Sequence, residues 1–84
     1  MEITVQLLAT YRRYLPPSAG QTGSTPDSYI RDVAPGATAG DLLVTIPFAP
    51  GELYTILING RHAEPHDLLH PGDLLTIFPP AGGG

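Results

Sequence analysis

Cysteine and lysine are both absent from the 84-residue chain, and all four basic side chains are arginines. Without cysteine the chain can form no disulfide, no thiolate metal site and no cysteine nucleophile. Without lysine it offers no side-chain amine for an isopeptide bond, which we attribute to compositional bias rather than to selection. Eight acidic residues give a formal net charge of -4. The chain therefore lacks the basic surface that nucleic-acid binding requires, and we expect no nucleic-acid partner.

Long apolar runs are missing as well. The opening segment MEITVQLL has neither the basic region nor the long apolar core of a secretion signal, and no apolar run is long enough to span a bilayer. We therefore expect a cytoplasmic protein without a membrane partner. The hydrophobic fraction of 42% in 84 residues supplies one modest core, which predicts a single domain.

Strand-like patterns occupy most of the chain. Apolar residues at Ile3, Val5 and Leu7 alternate with polar ones, which predicts a strand with one buried face. The segment 9–15 is expected to form a short helical turn or to lead out of that strand, and the Pro, Gly, Ser and Thr content of 16–27 predicts an exposed loop. Further strands are predicted at residues 28–33, 54–58, 61–63 and 74–78.

One helix is predicted in the segment PGATAGDLLVTIP. Thr38 followed by Asp41 resembles a capping box, with aspartate in place of the usual glutamate or glutamine. Pro47 is expected to end the helix, because proline removes a backbone donor and restricts the preceding residue. The apolar residues that share one face of this helix are Leu42, Leu43 and Ile46.

The order of these elements is β, β, α, β, short β, β. Asn59 and Gly60 supply the left-handed conformations of a tight hairpin turn between the two middle strands. We therefore predict an α+β fold in which one main helix packs across a mixed sheet of four to five strands. Residues 1–78 would form the domain, and residues 79–84 a flexible C-terminal tail.

The tail, FPPAGGG, invites a chemical interpretation. Pro79 and Pro80 would continue the last strand as a stiff spacer, and the residues after them have no side chain larger than a methyl group. Fully extended, the six tail residues reach about 20 Å, enough to enter a narrow site in another protein. The alternative is that the glycines form a frayed end without function.

The chemistry then belongs to the terminal carboxylate of Gly84. A carboxylate is a poor electrophile, so it needs activation by another catalyst. The sequence contains no nucleophile elbow, no phosphate-binding glycine loop before a helix and no spaced pair of catalytic carboxylates. We therefore expect a substrate and carrier rather than an enzyme.

Four segments carry a resemblance to a known family. ITVQLLATYRRYL, PGATAGDLLVTIP, ILINGRHA and HPGDLLTIFPPAGGG are similar to the first strand, helix, middle hairpin and closing strand of the ubiquitin-like β-grasp sulfur carriers. The acidic turn, the FPP and the terminal Gly-Gly together most closely resemble the small, sulfur-carrier subunit of molybdopterin synthase. Two departures are a longer insertion around residues 18–27 and Ala81-Gly82 in place of a bulkier pair.

The resemblance implies a function and partners. In that family the terminal glycine, here Gly84 preceded by Gly83, is adenylated by a ubiquitin-activating-type enzyme that uses ATP, and is then converted to a thiocarboxylate. The tail enters the large subunit of molybdopterin synthase, in an expected heterotetramer, and donates its sulfur to the pterin precursor. No permanently bound cofactor is implied. The alternatives are a thiamine-pathway sulfur carrier, a ubiquitin-like protein modifier and a non-reactive binding module.

Several residues are candidates for partner contacts. Alternation along the last strand directs Leu75 and Ile77 to the helix and Leu74, Thr76 and Phe78 to the opposite face. An outward Phe78 beside the tail is a natural partner anchor. Tyr11 and Tyr14 are expected to form a half-buried aromatic edge rather than a recognition patch. The predicted partner-binding residues are Leu8, Arg12, Phe78, Pro79, Pro80, Ala81 and Gly82.

His62, His66 and His70 recur every four residues, and on a continuous helix they would share one face as metal ligands do. Asn59-Gly60, Pro65 and Pro71-Gly72 interrupt the stretch, so a continuous helix is not expected. We predict three surface histidines in loops and no metal site.

Overall fold

The computed structural model describes residues 1–17, 19 and 26–80. Within these residues the chain forms five strands, one α-helix and one 3₁₀ helix. The 3₁₀ helix spans Ala9–Tyr14, the first of the two alternatives predicted for the segment after the first strand. The strands and the α-helix are β1 (Glu2–Leu7), β2 (Ser28–Asp32), α1 (Ala39–Leu43), β3 (Thr55–Ile58), β4 (Arg61–Ala63) and β5 (Leu74–Phe78).

The strands form one mixed sheet in the order β2-β1-β5-β3-β4. The central strands β1 and β5 run parallel, while the pairs β1 with β2, β3 with β5 and β3 with β4 are antiparallel. This arrangement confirms the predicted α+β fold and the upper end of the predicted strand number. Because β5 lies at the centre of the sheet, it is hydrogen-bonded to a neighbouring strand on each side, β1 and β3.

The core lies between one face of the sheet and α1. Ile3, Val5 and Leu7 of β1 are fully buried, as are Leu75 and Ile77 of β5. The predicted apolar face of the helix is buried against them, with Leu42, Leu43 and Ile46 all at most 6% exposed. Removing a side chain such as Leu75 from this layer would cost about 2–5 kcal/mol, because the transfer and cavity terms add.

The helix begins as predicted and ends earlier. The Thr38 hydroxyl accepts from the Asp41 N–H at 3.2 Å, and the Asp41 carboxylate accepts from the Thr38 N–H at 2.9 Å, so the capping box is complete. Regular helix stops at Leu43, and hydrogen-bonded turns continue to Ile46 before Pro47. A helix this short is not stable alone, so the cap and the buried leucines hold it in place.

The hairpin turn between β3 and β4 also forms as predicted. Asn59 and Gly60 have φ values of 53° and 83°, the pair of positive angles that a two-residue hairpin turn needs. The Asn59 side chain donates to Asp73 at 2.8 Å and accepts from the Leu74 N–H at 2.9 Å. The turn is therefore hydrogen-bonded to the start of β5, the strand that precedes the C-terminal tail.

Two predictions fall largely outside the described residues. The predicted exposed loop over 16–27 includes residues 18 and 20–25, and the predicted flexible tail includes residues 81–84, none of which the structure describes. Elsewhere in the chain, no helix combines the length and hydropathy needed to cross a membrane.

Candidate functional site

The candidate site is the end of β5, from which the glycine tail departs. Phe78 is the last residue of the strand and lies opposite Thr55 of β3. Pro79 is half-buried beside the sheet and Pro80 is exposed, so the chain leaves the fold between these two residues. Ala81, Gly82, Gly83 and Gly84 lie outside the described residues, and their predicted roles stay predictions.

The side chains of β5 alternate between two faces as predicted. Leu75 and Ile77 are fully buried toward α1, which places Leu74, Thr76 and Phe78 on the opposite face. Thr76 is on the predicted face but is only 7% exposed. Its hydroxyl donates to the Gln6 side-chain oxygen at 3.3 Å, because β5 is flanked by β1 on that side.

Leu8 lies beside Phe78 at the base of the tail. Its backbone N–H donates to the Ile77 carbonyl at 3.0 Å, which extends the β1–β5 pairing by one residue. Since Leu7 is fully buried in the core, alternation places Leu8 on the face away from α1, next to Phe78. We call the half-buried apolar residues of this face the outer patch: Leu8, Leu57, Leu74 and Phe78.

Arg12 and its neighbour Arg13 have different environments on the 3₁₀ helix. Arg13 donates to the Glu52 carboxylate at 2.6 Å, and its guanidinium lies 4.9 Å from the centre of the Tyr14 ring. Arg12 is exposed, and its side chain has no hydrogen bond or ion pair within the described part of the chain. Of the two arginines, Arg12 is the one whose charge is open to a partner; its predicted contact remains a prediction.

Four aromatic side chains form a cluster next to the end of β5. Tyr11 is 4% exposed, and its ring centre lies 5.2 Å from that of Phe48, which also contacts Tyr14 and stacks on Tyr54 at 5.0 Å. Tyr11 and Tyr14 therefore pack against other rings as predicted, but only Tyr14 is half-buried, whereas Tyr11 belongs to the buried core. Tyr54 directly precedes Thr55, the partner of Phe78, so the cluster borders the end of β5.

Hydrogen bonds connect the two tyrosines of the 3₁₀ helix to the loop over residues 47–54. The Tyr11 hydroxyl donates to the Leu53 carbonyl, and the Tyr14 hydroxyl donates to the Glu52 carboxylate. Glu52 also accepts from the Ala49 N–H at 2.8 Å. Sequence reasoning did not find Glu52 or Phe48, because their partners lie some forty positions away and follow no local spacing.

The titratable groups of the cluster have structural roles. The hydrogen bond from Tyr14 holds the pKa of the Glu52 carboxyl below its usual value, with further contributions from Ala49 and Arg13. Burial raises the pKa of the Tyr11 phenol, and the nearby Glu52 carboxylate adds to that effect. Glu52 is therefore an ionised acceptor at neutral pH and Tyr11 a neutral donor, the states that their hydrogen bonds require.

The predicted loop placement holds for two of the three histidines and is wrong for His62, which belongs to a strand. His62 lies in β4, and His66 and His70 lie in the segment between β4 and β5 that contains no helix. All three are exposed. In the portion of the chain that the structure describes, no group of three His, Cys, Asp or Glu side chains is placed to hold a metal ion.

The chain is similar to known proteins in both sequence and structure. The sequence profile of the ThiS family matches residues 5–84. A search of curated protein sequences finds no significant match. Among solved structures, SAMP1 from Haloferax volcanii has a TM-score of 0.70 and 28% sequence identity, with 100% of each chain covered.

Two further solved structures share the fold. A putative molybdopterin converting factor, subunit 1, from Pyrococcus furiosus has a TM-score of 0.70 and 24% identity, covering 95% of this chain and 98% of that one. The small archaeal modifier protein 1 from Methanosarcina acetivorans has a TM-score of 0.65 and 24% identity, covering 99% and 96%. Since the profile match spans nearly the whole chain, the chain belongs to the ThiS family and is a small ubiquitin-like β-grasp protein of the sulfur-carrier or protein-modifier type.

Proposed function

We propose that this chain is the sulfur carrier of molybdopterin synthesis, with the carboxylate of Gly84 as its reactive group. The observation that carries the proposal is the family match, which runs through the glycine tail to residue 84. The structure adds support at the base of that tail, where β5 is held between β1 and β3 and leads directly into Pro79 and Pro80. A tail that starts from a fixed strand end enters a partner's site at a lower entropic cost than one on a mobile loop.

The proposed reaction has two steps, both performed on Gly84 by a ubiquitin-activating-type partner. In the first, a carboxylate oxygen attacks the α-phosphorus of ATP, and pyrophosphate leaves. In the second, a sulfur donor at the oxidation level of sulfide attacks the acyl carbon, and AMP leaves to give a thiocarboxylate. The thiocarboxylate sulfur then attacks a carbon of the pterin precursor and displaces an oxygen leaving group, and water cleaves the resulting thioester, which leaves sulfur on the precursor and returns the carboxylate of Gly84. ATP is consumed by the partner and is not a bound cofactor of the carrier.

The outer patch is the proposed contact with both partners. Leu8 and Phe78 present apolar surface at the point where the tail departs, and Leu57 and Leu74 extend it along the same face. Arg12, four residues after Leu8 on the 3₁₀ helix, adds an exposed positive charge. A patch of this kind, apolar at the centre and charged at the rim, is typical of protein interfaces. We place the large subunit of molybdopterin synthase on it, as the heterotetramer of two carriers on a large-subunit dimer, with residues Pro79 to Gly84 inside the large subunit.

A second function, protein modification, is favoured by one observation. The structural neighbour with 28% identity and full mutual coverage is SAMP1, and a related structure bears the name small archaeal modifier protein 1. In that role the adenylated Gly84 would form an amide with a lysine of a target protein. Activation is common to both functions, so the acceptor is what distinguishes them.

The distinguishing experiment follows the fate of the activated chain. An N-terminally tagged chain is activated with ATP and a sulfur source, then mixed with the large subunit and pterin precursor, and separately with cell extract. A carrier returns to its original mass as the precursor gains sulfur, and gives no higher-mass species. Tagged conjugates with target lysines, without sulfur transfer, would establish the modifier instead. Transfer only to a thiazole precursor would indicate the thiamine pathway.

The same experiment includes a test of the non-reactive binding module. A variant with one residue appended after Gly84 should lose activation, because the reacting carboxylate is moved from its place. A binding module would bind its partner equally well with and without the added residue, and would show no activation with either chain.

A further inference from the structure

The hairpin turn between β3 and β4 contains the only asparagine of the chain, Asn59, and a glycine follows it. In an Asn-Gly pair the backbone nitrogen of the glycine can attack the side-chain amide carbon of the asparagine, because glycine has no side chain to hinder closure of the five-membered ring. The two residues that form the turn are therefore also the place in the chain where the backbone is chemically most reactive.

The turn is open to the solvent that this reaction needs. Asn59 and Gly60 are both exposed. A Cβ added at Gly60 would have no atom within 4 Å other than those of its chain neighbours, so nothing packs over this part of the turn. Hydroxide can therefore reach the Gly60 N–H to remove its proton, and water can reach the ring to open it.

The side chain of Asn59 is held by the start of β5. Its amide nitrogen donates to Asp73 Oδ1 at 2.8 Å, and its oxygen accepts from the Leu74 N–H at 2.9 Å. Asp73 is only 7% exposed, and its other oxygen accepts from the His70 N–H at 2.8 Å. Ring closure makes the planar amide carbon tetrahedral and expels the nitrogen that donates to Asp73. Both hydrogen bonds of the amide must therefore open for the ring to form.

We propose that Asn59 is a site of spontaneous deamidation, and that its contacts with Asp73 and Leu74 set the rate. In the first step the deprotonated Gly60 nitrogen bonds to Cγ of Asn59, and the side-chain nitrogen takes a proton from water and leaves as ammonia. In the second step water adds to one carbonyl carbon of the cyclic imide, and the bond from that carbon to the Gly60 nitrogen breaks. Cleavage at Cγ gives aspartate, and cleavage at the main-chain carbonyl gives isoaspartate.

Either product weakens the connection between the turn and β5. Aspartate replaces the amide that donates to Asp73, so a hydrogen bond becomes a repulsion between two carboxylates. Isoaspartate adds one carbon to the main chain of a two-residue turn, whose length fixes the register of β3 against β4. The proposal does not depend on the reactivity of Gly84.

The test is the intact mass of the full-length chain during incubation in warm, mildly alkaline buffer, with and without urea. Deamidation exchanges an NH₂ group for OH, and no other asparagine contributes to the change. We expect steady conversion in urea and conversion that is slower by about tenfold or more in the folded chain, because only opened molecules react. Asn59→Gln is the control and should keep its mass under both conditions, since glutamine would have to close a larger ring.

Two variants test the protecting contact in the folded chain. Asp73→Ala removes the acceptor of the Asn59 amide and should speed conversion several-fold. Ile77→Val, a fully buried position at the other end of β5, is the matched control for lost stability and should speed conversion far less. Circular dichroism shows whether each variant is folded. Hydrogen exchange of the Leu74 N–H reports opening of the same contact in the unsubstituted chain, and its protection should match the protection of Asn59.

Four outcomes would overturn the proposal. An unchanged mass in urea would show that Asn59 is not a deamidation site. Equal rates with and without urea would show that the contacts give no protection. Slower conversion of Asp73→Ala would make Asp73 a catalyst of the reaction rather than a barrier to it. Equal acceleration by Ile77→Val would tie the rate to unfolding of the whole chain.

Discussion

Ala9 has a φ of 54°, in the left-handed region that residues with a Cβ seldom occupy. It follows Leu8 and begins the 3₁₀ helix, so the strained residue lies between the outer patch and the aromatic cluster. The left-handed conformation costs an alanine about 1–2 kcal/mol. The surrounding contacts, chiefly the Leu8 hydrogen bond and the burial of Tyr11, hold the backbone in this conformation.

The first prediction concerns this strain. Ala9→Gly should stabilise the chain by about 0.5–1 kcal/mol, since the strain that glycine relieves exceeds the entropy it adds to the unfolded state. Urea unfolding measures the difference. The matched control is Ala34→Gly, at a position with negative φ, which should destabilise by about 0.4–1 kcal/mol. Destabilisation of similar size in both variants would show that Ala9 carries no strain.

At the scale of single residues, the sequence predicts the backbone conformation of Asn59 but not the partners of its side chain. The Asn-Gly pair predicts the hairpin turn, because both residues tolerate positive φ. It does not predict that the Asn59 side chain binds Asp73 and Leu74, since those bonds depend on where β5 lies in the sheet. Glu52 is a stronger case: nothing near it in sequence indicates that Arg13 and Tyr14 will be its partners.

At the scale of elements, the 3₁₀ helix and the loop over residues 47–54 act as one unit beside the tail. They are joined by the Arg13–Glu52 ion pair, the Tyr14–Glu52 hydrogen bond and the contacts of Phe48. An ion pair such as Arg13–Glu52 contributes little to stability when it is exposed to solvent. Here the pair lies next to the packed aromatic rings, so it joins the 3₁₀ helix to the loop together with the other two contacts.

The second prediction is a pH dependence of stability from Glu52. Its pKa is lower in the folded chain than in the unfolded one, so its contribution is present at neutral pH and is lost as the pH falls through the folded pKa. Glu52→Gln should therefore unfold more easily than the unsubstituted chain at neutral pH, with a difference that shrinks in acid. Glu2→Gln, which removes an exposed carboxylate on β1, is the control for the loss of one negative charge and should change stability at neutral pH by less than Glu52→Gln does. A constant difference for Glu52→Gln at every pH would contradict the account.

The elements themselves were mostly predictable. Period-two patterns locate β1 and β5, and Thr38 with Asp41 locates the start of α1. The early end of the helix was not predictable from Pro47 alone, because proline sets only the last possible position. In the structure the Thr45 hydroxyl donates to the Leu42 carbonyl at 2.6 Å and the chain turns there.

For the whole molecule, the sheet separates a core face from an outer face that carries the apolar patch beside the tail. The orientation of Phe78 was predictable from strand alternation, whereas the burial of Thr76 was not, because it depends on the strands that flank β5. The roles of residues 81–84 come from the family resemblance and await experiment.

The third prediction tests the outer patch as the partner surface. Phe78→Ser should weaken binding of the large subunit by about tenfold or more, the loss expected for an aromatic anchor at an interface. Val44→Ser, which removes an 82% exposed apolar side chain next to α1, is the control and should bind normally. Calorimetry measures both affinities, and thermal unfolding shows whether each variant is folded. Normal binding by Phe78→Ser would place the partner elsewhere.

The measurement that tests the central claim most directly is the intact mass of the chain after incubation with an adenylating partner, ATP and a sulfur source. A version lacking Gly84 is treated in parallel. We predict a gain equal to the replacement of one oxygen by sulfur in the full chain and no change in the truncated one. An unchanged mass of the full chain, with an activating enzyme that converts its own carrier under the same conditions, would contradict the proposal that Gly84 carries sulfur.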